Sequence, residues 1–131
     1  MVSRKAVVFV FGALVLGMAS SVPTYGTESS LHTNYFTFAR AVAVPGAVLE
    51  PGSYIFERAD ATSPDVVVVR DRARTRVYFM GFTNRADRPL ELLRQGATVT
   101  LGEARAGVPP PIQTWFPVGS TRGYAFIYKS R

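Results

Sequence analysis

The sequence of 131 residues contains no cysteine and only one histidine, His32. Without cysteine, the chain has no disulfide framework, no thiolate ligands for zinc and no cysteine nucleophile. A single histidine excludes a metal motif built on two histidines and leaves little basis for a histidine-dependent catalytic triad. We therefore expect that the protein binds neither a metal nor another cofactor.

The uncharged run AVVFVFGALVLGM, residues 6–18, is too short to span a membrane, because spanning takes about 20 apolar residues. It follows a basic pair and precedes small residues at 19–21. This order is typical of a secretory signal peptide, with cleavage after Ser21 or after Gly26. We predict that residues 1–26 form a signal-peptide helix that is removed. The mature protein is then secreted or periplasmic, with no membrane span.

Removal of residues 1–26 leaves 105 residues with 13 basic and nine acidic side chains, so the net charge falls from +6 to about +4. The chain is 47% apolar and 12% aromatic, which is enough for a packed core and too much for a disordered chain. This length allows one domain. We predict a flexible polar leader at 27–33, which contains His32, and a single β-domain at 34–131.

Short segments rich in β-branched and aromatic residues recur between turns that contain glycine or proline. Residues 65–70 (DVVVVR) predict a central strand, because four consecutive valines make both faces apolar, and residues 75–83 (TRVYFMGFT) are its expected hairpin partner. The pattern indicates an all-β, single-domain antiparallel sandwich or small barrel of about seven to eight strands. The remaining predicted strands are 34–44, 53–58, 97–103, 112–118 and 123–129, with a short extra strand at 47–49.

Residues 84–96 (NRADRPLELLRQG) contain the only helix predicted for the mature chain. Asp87 can cap it, Pro89 fits its first turn and Gly96 can end it. An irregular crossover loop is the alternative interpretation of the same residues.

Two neighbouring segments, VPG at 44–46 and LEPGSYIF at 49–56, carry a resemblance to known proteins. The second resembles the leucine–x–proline–glycine–threonine/serine–tyrosine segment of many secreted bacterial β-domains and of the prealbumin-like modules that carry it, in which Pro-Gly makes a turn and the tyrosine opens a strand. The layout of the whole chain also resembles small secreted β-domain proteins of soil bacteria. This resemblance implies a secreted β-domain and brings no activity or functional residues with it.

The sequence contains no motif that is typical of an enzyme. No serine nucleophile motif and no glycine-rich phosphate loop is present. The carboxylates Glu50, Glu57, Glu91 and Glu103 could form an acid/base pair, but the sequence places no two of them at the required separation. We therefore predict a non-enzymatic module that binds or scaffolds in the cell envelope or outside the cell. A small envelope hydrolase with a carboxylate site is the alternative.

Four arginines, Arg70, Arg72, Arg74 and Arg76, recur at every second position around the predicted hairpin. In an extended chain they would lie on one side, and guanidinium groups suit phosphate and carboxylate. Arg72, Arg74 and Arg76 are therefore candidate anion contacts, with an anionic glycan or an envelope protein as the partner. The alternative, which Asp71 among them favours, is a solvated hairpin tip that prevents edge aggregation. No nucleic-acid-binding motif is present.

The segment EARAGVPPPIQTW, residues 103–115, is stiffened by three consecutive prolines and ends at the only tryptophan, Trp115. If Ile112, Phe116 and Val118 point into the core, alternation places Gln113 and Trp115 on the opposite face. An exposed Trp115 beside a rigid loop would be a platform for a sugar or a protein. The alternative is a tryptophan that closes one end of the core. The candidate contact residues are Trp115, Gln113, Arg105 and Glu103.

Overall fold

The computed structural model describes Val8–Phe9 and residues 32–129, and within these ranges the protein is built from strands with one short 3-10 helix, Leu90–Leu92. The predicted all-β class is confirmed. The strands are β1 (Val8–Phe9), β2 (Asn34–Phe38), β3 (Val42–Val44), β4 (Ala47–Leu49), β5 (Gly52–Arg58), β6 (Val66–Asp71), β7 (Val77–Asp87), β8 (Thr98–Leu101), β9 (Ile112–Phe116) and β10 (Arg122–Phe126).

Eight strands form one curled antiparallel sheet in the order β1-β8-β9-β10-β7-β6-β5-β2. The hairpin β3–β4 forms a separate sheet that is tied to the segment before β9. The backbone N–H of Ala43 donates to the carbonyl oxygen of Pro110 at 2.9 Å. The hydroxyl of Tyr128 donates to the carbonyl oxygens of Ile112 at 2.6 Å and of Ala43 at 3.2 Å. These bonds hold the small hairpin against the large sheet.

The core lies on one face of the curled sheet, which we call the inner face, and the side chains of the outer face point away from it. Phe36, Phe56, Val67, Val69 and Trp115 belong to a single buried cluster to which β3 and β4 also contribute. In the regular stretches of the strands, alternate residues reach this cluster, because successive side chains of a strand point to opposite faces.

β6 is the central strand that its valines predicted. Val67, Val68 and Val69 are all buried, and β6 pairs with β5 on one side and β7 on the other. The β6–β7 hairpin is also confirmed. Its register shifts after Val69, which leaves Tyr78 as an extra residue on β7. The irregularity of this hairpin therefore lies at Tyr78.

The predicted helix at 84–96 is wrong, and the structure is closer to the alternative, an irregular crossover. β7 continues to Asp87, because residues 83–87 pair with β10, and only Leu90–Leu92 then form a 3-10 helix. Helix propensity in this segment is overridden by the backbone hydrogen bonds of the sheet.

Arg88 holds this crossover in place from a buried position. Its guanidinium donates to the carbonyl oxygens of residues 95, 96, 117 and 120 and to the hydroxyl of Thr98, at distances up to 3.2 Å. It also lies over the ring of Phe116, at 5.6 Å from the centroid. Burial lowers the pKa of Arg88 below its ordinary value. The hydrogen bonds compensate the cost of burying this charge and join two loops.

The predicted signal-peptide helix at 1–26 lies outside the described residues except for Val8–Phe9. These two residues pair with Leu101 and Thr100 of β8 as a short strand, so the helix is not found at these positions. The predicted leader, 27–33, is described only at its last two residues. Thr33 belongs to the folded domain, since its hydroxyl donates to Glu57 Oε1 at 2.9 Å.

Candidate anion-binding site

A cleft of about 200 Å³ opens at the end of the sheet where the β5–β6 turn meets the β9–β10 turn. We call it the arginine cleft. Its lining residues are His32, Arg58, Pro64, Asp65, Arg85, Ser120, Arg122, Gly123 and Tyr124.

Three separate strands bring the arginines of the cleft together. Arg58 is the last residue of β5, and Arg122 is the first residue of β10. Arg85 lies near the end of β7, directly opposite Tyr124 of β10 in the sheet register. The convergence follows from strand order, because β5 and β10 reach the same end of the sheet with β6 and β7 between them.

The charge of the cleft is predominantly positive. Among the lining residues that the structure describes, Asp65 is the only carboxylate, and it lies 3.4 Å from Nε of Arg85 in a partly exposed ion pair. Arg58 donates to the carbonyl oxygen of Ala61 at 3.0 Å. The guanidinium of Arg122 makes no hydrogen bond or ion pair within residues 32–129 that the structure describes. Among the described lining residues three guanidiniums stand beside one carboxylate, and this donor-rich set attracts anions.

Tyr124 forms part of the wall of the cleft, and its ring stacks on that of Trp115 with a centroid distance of 5.0 Å. Burial raises the pKa of the Tyr124 hydroxyl above its ordinary value. The negative charge of Asp65 adds to this rise, and the positive charges of Arg58 and Arg85 oppose it without cancelling it. The hydroxyl therefore stays protonated at neutral pH and is able to donate a hydrogen bond.

The β9–β10 turn is held in the conformation that presents Arg122. The Ser120 hydroxyl donates to the carbonyl oxygen of Arg122 at 2.7 Å and accepts a hydrogen bond from its backbone N–H at 3.2 Å. Guanidinium groups have donors and no acceptor. A site built from three of them and a phenol suits a phosphate, sulfate or carboxylate group, which accepts several charge-assisted hydrogen bonds at once.

Trp115 is not an exposed platform, so this part of the contact prediction is wrong. Its side chain is 0% exposed, and its Nε1–H donates to Oδ1 of Asn34 at 3.0 Å. Its ring also meets the edge of Phe56 at a centroid distance of 5.9 Å. The alternative, a tryptophan built into the core, is the one that the structure supports.

A β-bulge explains why alternation placed Trp115 on the wrong face. Leu101 of β8 pairs with Ile112, but its neighbour Thr100 pairs with Thr114, so Gln113 is an extra residue on β9. An extra residue reverses the side to which all later side chains of the strand point. Both Ile112 and Trp115 therefore reach the core. Val118, which was expected inside, is exposed.

The other residues of the predicted contact surface are exposed but lie away from the arginine cleft. Gln113 packs over Gly102, where an added Cβ would lie 3.0 Å from its Nε2. Glu103 and Arg105 are exposed in the loop between β8 and β9. The structure brings none of them into the lining of the cleft.

The hairpin arginines do not form the single row that their spacing predicted. Arg74 and Arg70 both bind the buried carboxylate of Glu57, at 3.1 and 3.3 Å. Arg72 lies over the ring of Tyr35 at 5.5 Å, and Arg76 lies over that of Tyr78 at 4.7 Å. The chain turns back at Arg74, which has a positive φ of 64°, so it is not extended there.

The carboxylate of Glu57 is stabilised in its ionised form. Burial acts to raise the pKa of Glu57, but hydrogen bonds from Thr33 and Arg74 and the charges of Arg74 and Arg70 outweigh it and lower the pKa. The Arg74–Glu57 pair therefore fastens the hairpin loop to the outer face of β5. This use of Arg74 leaves it less available as an anion contact than the spacing suggested.

The four carboxylates named for the hydrolase alternative occupy four separate parts of the fold. Glu57 is buried in its ion pairs, and Glu50 and Glu103 are exposed in loops. Glu91 lines a second, open groove of about 340 Å³ together with Asp87. Neither groove contains two of the four, so the acid/base pair of the hydrolase alternative stays a prediction.

Sequence reasoning missed the arginine cleft because its members are far apart in the chain. Arg58, Arg85 and Arg122 share no motif, and His32 was assigned to the leader although it lines the cleft. The sequence contains only a weak indication of the cleft, because each arginine lies beside a predicted turn or at the end of a predicted strand.

Comparisons with protein-family profiles, with curated proteins and with solved structures found no match to this chain. The resemblance to prealbumin-like modules therefore stays a prediction. Among the residues that the structure describes, no helix is long and apolar enough to cross a membrane. The same residues contain no group of three or more side chains able to hold a metal ion.

Proposed function

We propose that this protein is an exported, non-enzymatic binding module whose arginine cleft takes the anionic group of a glycan outside the cytoplasm. The observation that carries this proposal is the convergence of Arg58, Arg85 and Arg122 in one cleft, whose described lining residues include a single carboxylate. Export rests on the predicted signal peptide. The binding role rests on the donor-rich chemistry of the cleft.

The size of the cleft limits what it can hold. Pockets for drug-sized ligands have volumes of about 300–1,000 Å³, whereas the arginine cleft has about 200 Å³. The cleft therefore suits a single charged group, with the remainder of the ligand lying outside. A phosphate, a sulfate or the carboxylate of a uronic acid has this size and charge.

Calorimetric titration of the exported protein with sulfate, phosphate and glucuronate tests the proposal and separates the three chemistries. We expect saturable binding of at least one anion. Arg122→Gln and Arg85→Gln should each weaken it about tenfold or more, because each removes charge-assisted hydrogen bonds. Arg94→Gln removes the same charge from an exposed position outside the cleft and should leave the affinity unchanged.

Two results would contradict the proposal. One is the absence of saturable binding for all three anions at low ionic strength. The other is an equal loss of affinity in Arg122→Gln and Arg94→Gln, because this would show a general effect of net charge.

A further inference from the structure

The single histidine of the chain, His32, lines the arginine cleft, where it is half-buried. It comes just before β2, which pairs antiparallel with β5. The hydroxyl of Thr33 donates to Glu57 Oε1 at 2.9 Å, so the chain already runs beside β5 one residue before β2 begins. The same antiparallel order places His32 next to Arg58, the last residue of β5, and both residues line the cleft.

The backbone at His32 has a left-handed conformation, with a φ of 57°. Histidine, asparagine and aspartate adopt this conformation more readily than the other residues that carry a side chain. His32 therefore suits the turn by which the chain enters β2. Asparagine tolerates the same backbone and has no titratable ring. His32→Asn is accordingly the variant that removes the charge of the histidine and keeps the turn.

Charged groups face His32 across the cleft from three strands and one turn. Arg58 ends β5, Arg85 lies on β7 and Arg122 begins β10. Asp65, in the turn between β5 and β6, is the one acidic side chain among the lining residues that the structure describes. An imidazolium at position 32 would therefore be a fourth positive charge around the cleft.

Of the groups that surround the cleft, only a histidine changes its charge between roughly pH 5 and pH 8. Carboxylates and guanidiniums titrate outside this range, near pH 4 and above about pH 12. Burial raises the pKa of Tyr124, so its hydroxyl stays neutral. Glu57 has a lowered pKa and stays ionised in its ion pairs with Arg74 and Arg70. The charge of the cleft in this range is thus set by His32.

A bound anion and a proton on His32 favour each other. The three guanidiniums disfavour a further positive charge beside them, and an anion in the cleft offsets that repulsion. The imidazolium also has two N–H donors and no acceptor, whereas the neutral ring presents one acceptor to the anion. Coupling between two ligands is reciprocal, so the proton strengthens anion binding by the same factor as the anion strengthens proton binding.

We propose that anion binding in the arginine cleft is coupled to protonation of His32, so that the cleft holds its anion in mildly acidic surroundings and releases it as the pH rises. This inference rests on the proposed function of the cleft and adds its regulation. An opposite charge at about 4–6 Å shifts the titration of a group by about 1–3 pH units. Because His32 is half-buried, we expect the lower end of this range, which is about tenfold in affinity.

Calorimetric titration of the exported protein with sulfate, from about pH 5 to about pH 8, measures the coupling. Sulfate is the probe because its charge is constant in this range, whereas a phosphate group titrates within it. The affinity of the wild type should fall about tenfold from the acidic to the alkaline end. His32→Asn should bind sulfate with one affinity throughout, close to that of the wild type at the alkaline end. Arg122→Gln should bind more weakly throughout and keep the fall with pH.

NMR titration gives an independent measurement, because the signals of the one imidazole in the chain report on His32 alone. Saturating sulfate should raise the midpoint of this titration by about one pH unit, which is the same free energy as a tenfold change in affinity. The α-amino group titrates near pH 8 and is retained in His32→Asn, so that variant separates its contribution. Circular dichroism melts verify that each variant folds.

Three results would overturn the coupling and leave the anion site in place. They are a sulfate affinity that does not change with pH, an unchanged pH dependence in His32→Asn, and an imidazole midpoint that sulfate does not move. Absence of sulfate binding at every pH would have a different meaning. It would contradict binding of this anion in the arginine cleft, and the inference about His32 would fall with it.

Discussion

Truncation of Trp115 gives the sharpest test of the core. A buried tryptophan removes about 200 Å² from water, which at about 25 cal/mol per Å² contributes about 5 kcal/mol as an upper bound. Measured truncations of large aromatics cost about 3–5 kcal/mol. Trp115→Ala also leaves Oδ1 of Asn34 without its donor. We expect Trp115→Ala to lower the free energy of unfolding by about 3–5 kcal/mol, a large part of the 5–15 kcal/mol that is typical of a domain.

Trp115→Phe is the variant that can be measured quantitatively. It keeps a ring near Phe56 and Tyr124 but removes the indole N–H. We expect it to lower the free energy of unfolding by about 2–3 kcal/mol, of which about 1 kcal/mol is the hydrogen bond to Asn34. A double-mutant cycle with Asn34→Ala measures the contribution of the hydrogen bond between Trp115 and Asn34.

Urea unfolding followed by circular dichroism measures these free energies, and the wild-type fluorescence gives an independent reading because Trp115 is the only tryptophan. We expect a blue-shifted emission that iodide does not quench. Val118→Ala, at an exposed position next to the same strand, should change stability by about 0.5 kcal/mol or less. Loss of less than about 1 kcal/mol in Trp115→Ala, or quenching by iodide, would refute the buried placement.

Three further predictions concern the packing around the crossover and the hairpin. Gly123→Ala should lower the free energy of unfolding in urea by about 3 kcal/mol, because its Cβ would overlap the ring of Phe116 and the backbone carbonyl oxygen of Trp115. A loss under about 0.5 kcal/mol would contradict this close approach. Arg88→Met should lower the free energy of unfolding in urea by about 2–4 kcal/mol, since it leaves buried carbonyl groups without donors. Arg94→Met, at an exposed position, should change that free energy little. The pKa of Glu57 is lower in the folded protein than in the unfolded chain. Its ion pairs therefore stabilise the fold fully above the pKa of an unfolded glutamate, about 4.3, and this stabilisation is lost as the pH falls through the lower pKa of the folded protein. Thermal melts between pH 6 and pH 3, roughly the range over which glutamate titrates, measure this effect. The stability lost over this range should be smaller in Glu57→Gln than in the wild type. Equal losses would exclude stabilisation of the fold by the ionised Glu57.

The sequence alone determined most of the strands and the local pairing of β6 with β7, but the single strand predicted at 34–44 is divided into β2 and β3, which belong to different sheets. Four consecutive valines predicted a strand buried on both faces, and a short polar connection predicted its hairpin with β7. Both are found because they depend on side-chain hydrophobicity and on contacts between neighbours in the chain. The end of β7 could not be predicted in this way. Residues 84–87 have turn-like and helical signals, but pairing with β10, a distant segment, extends the strand.

Only the tertiary structure decided which side chains are available for function. One extra residue at Gln113 reverses the direction of Trp115, and this bulge arises from pairing with β8 rather than from local propensity. The arginine cleft likewise exists only because strand order brings Arg58, Arg85 and Arg122 to one end of the sheet. Hydrophobic alternation specifies that a residue belongs to a strand, whereas long-range register specifies the face on which it lies.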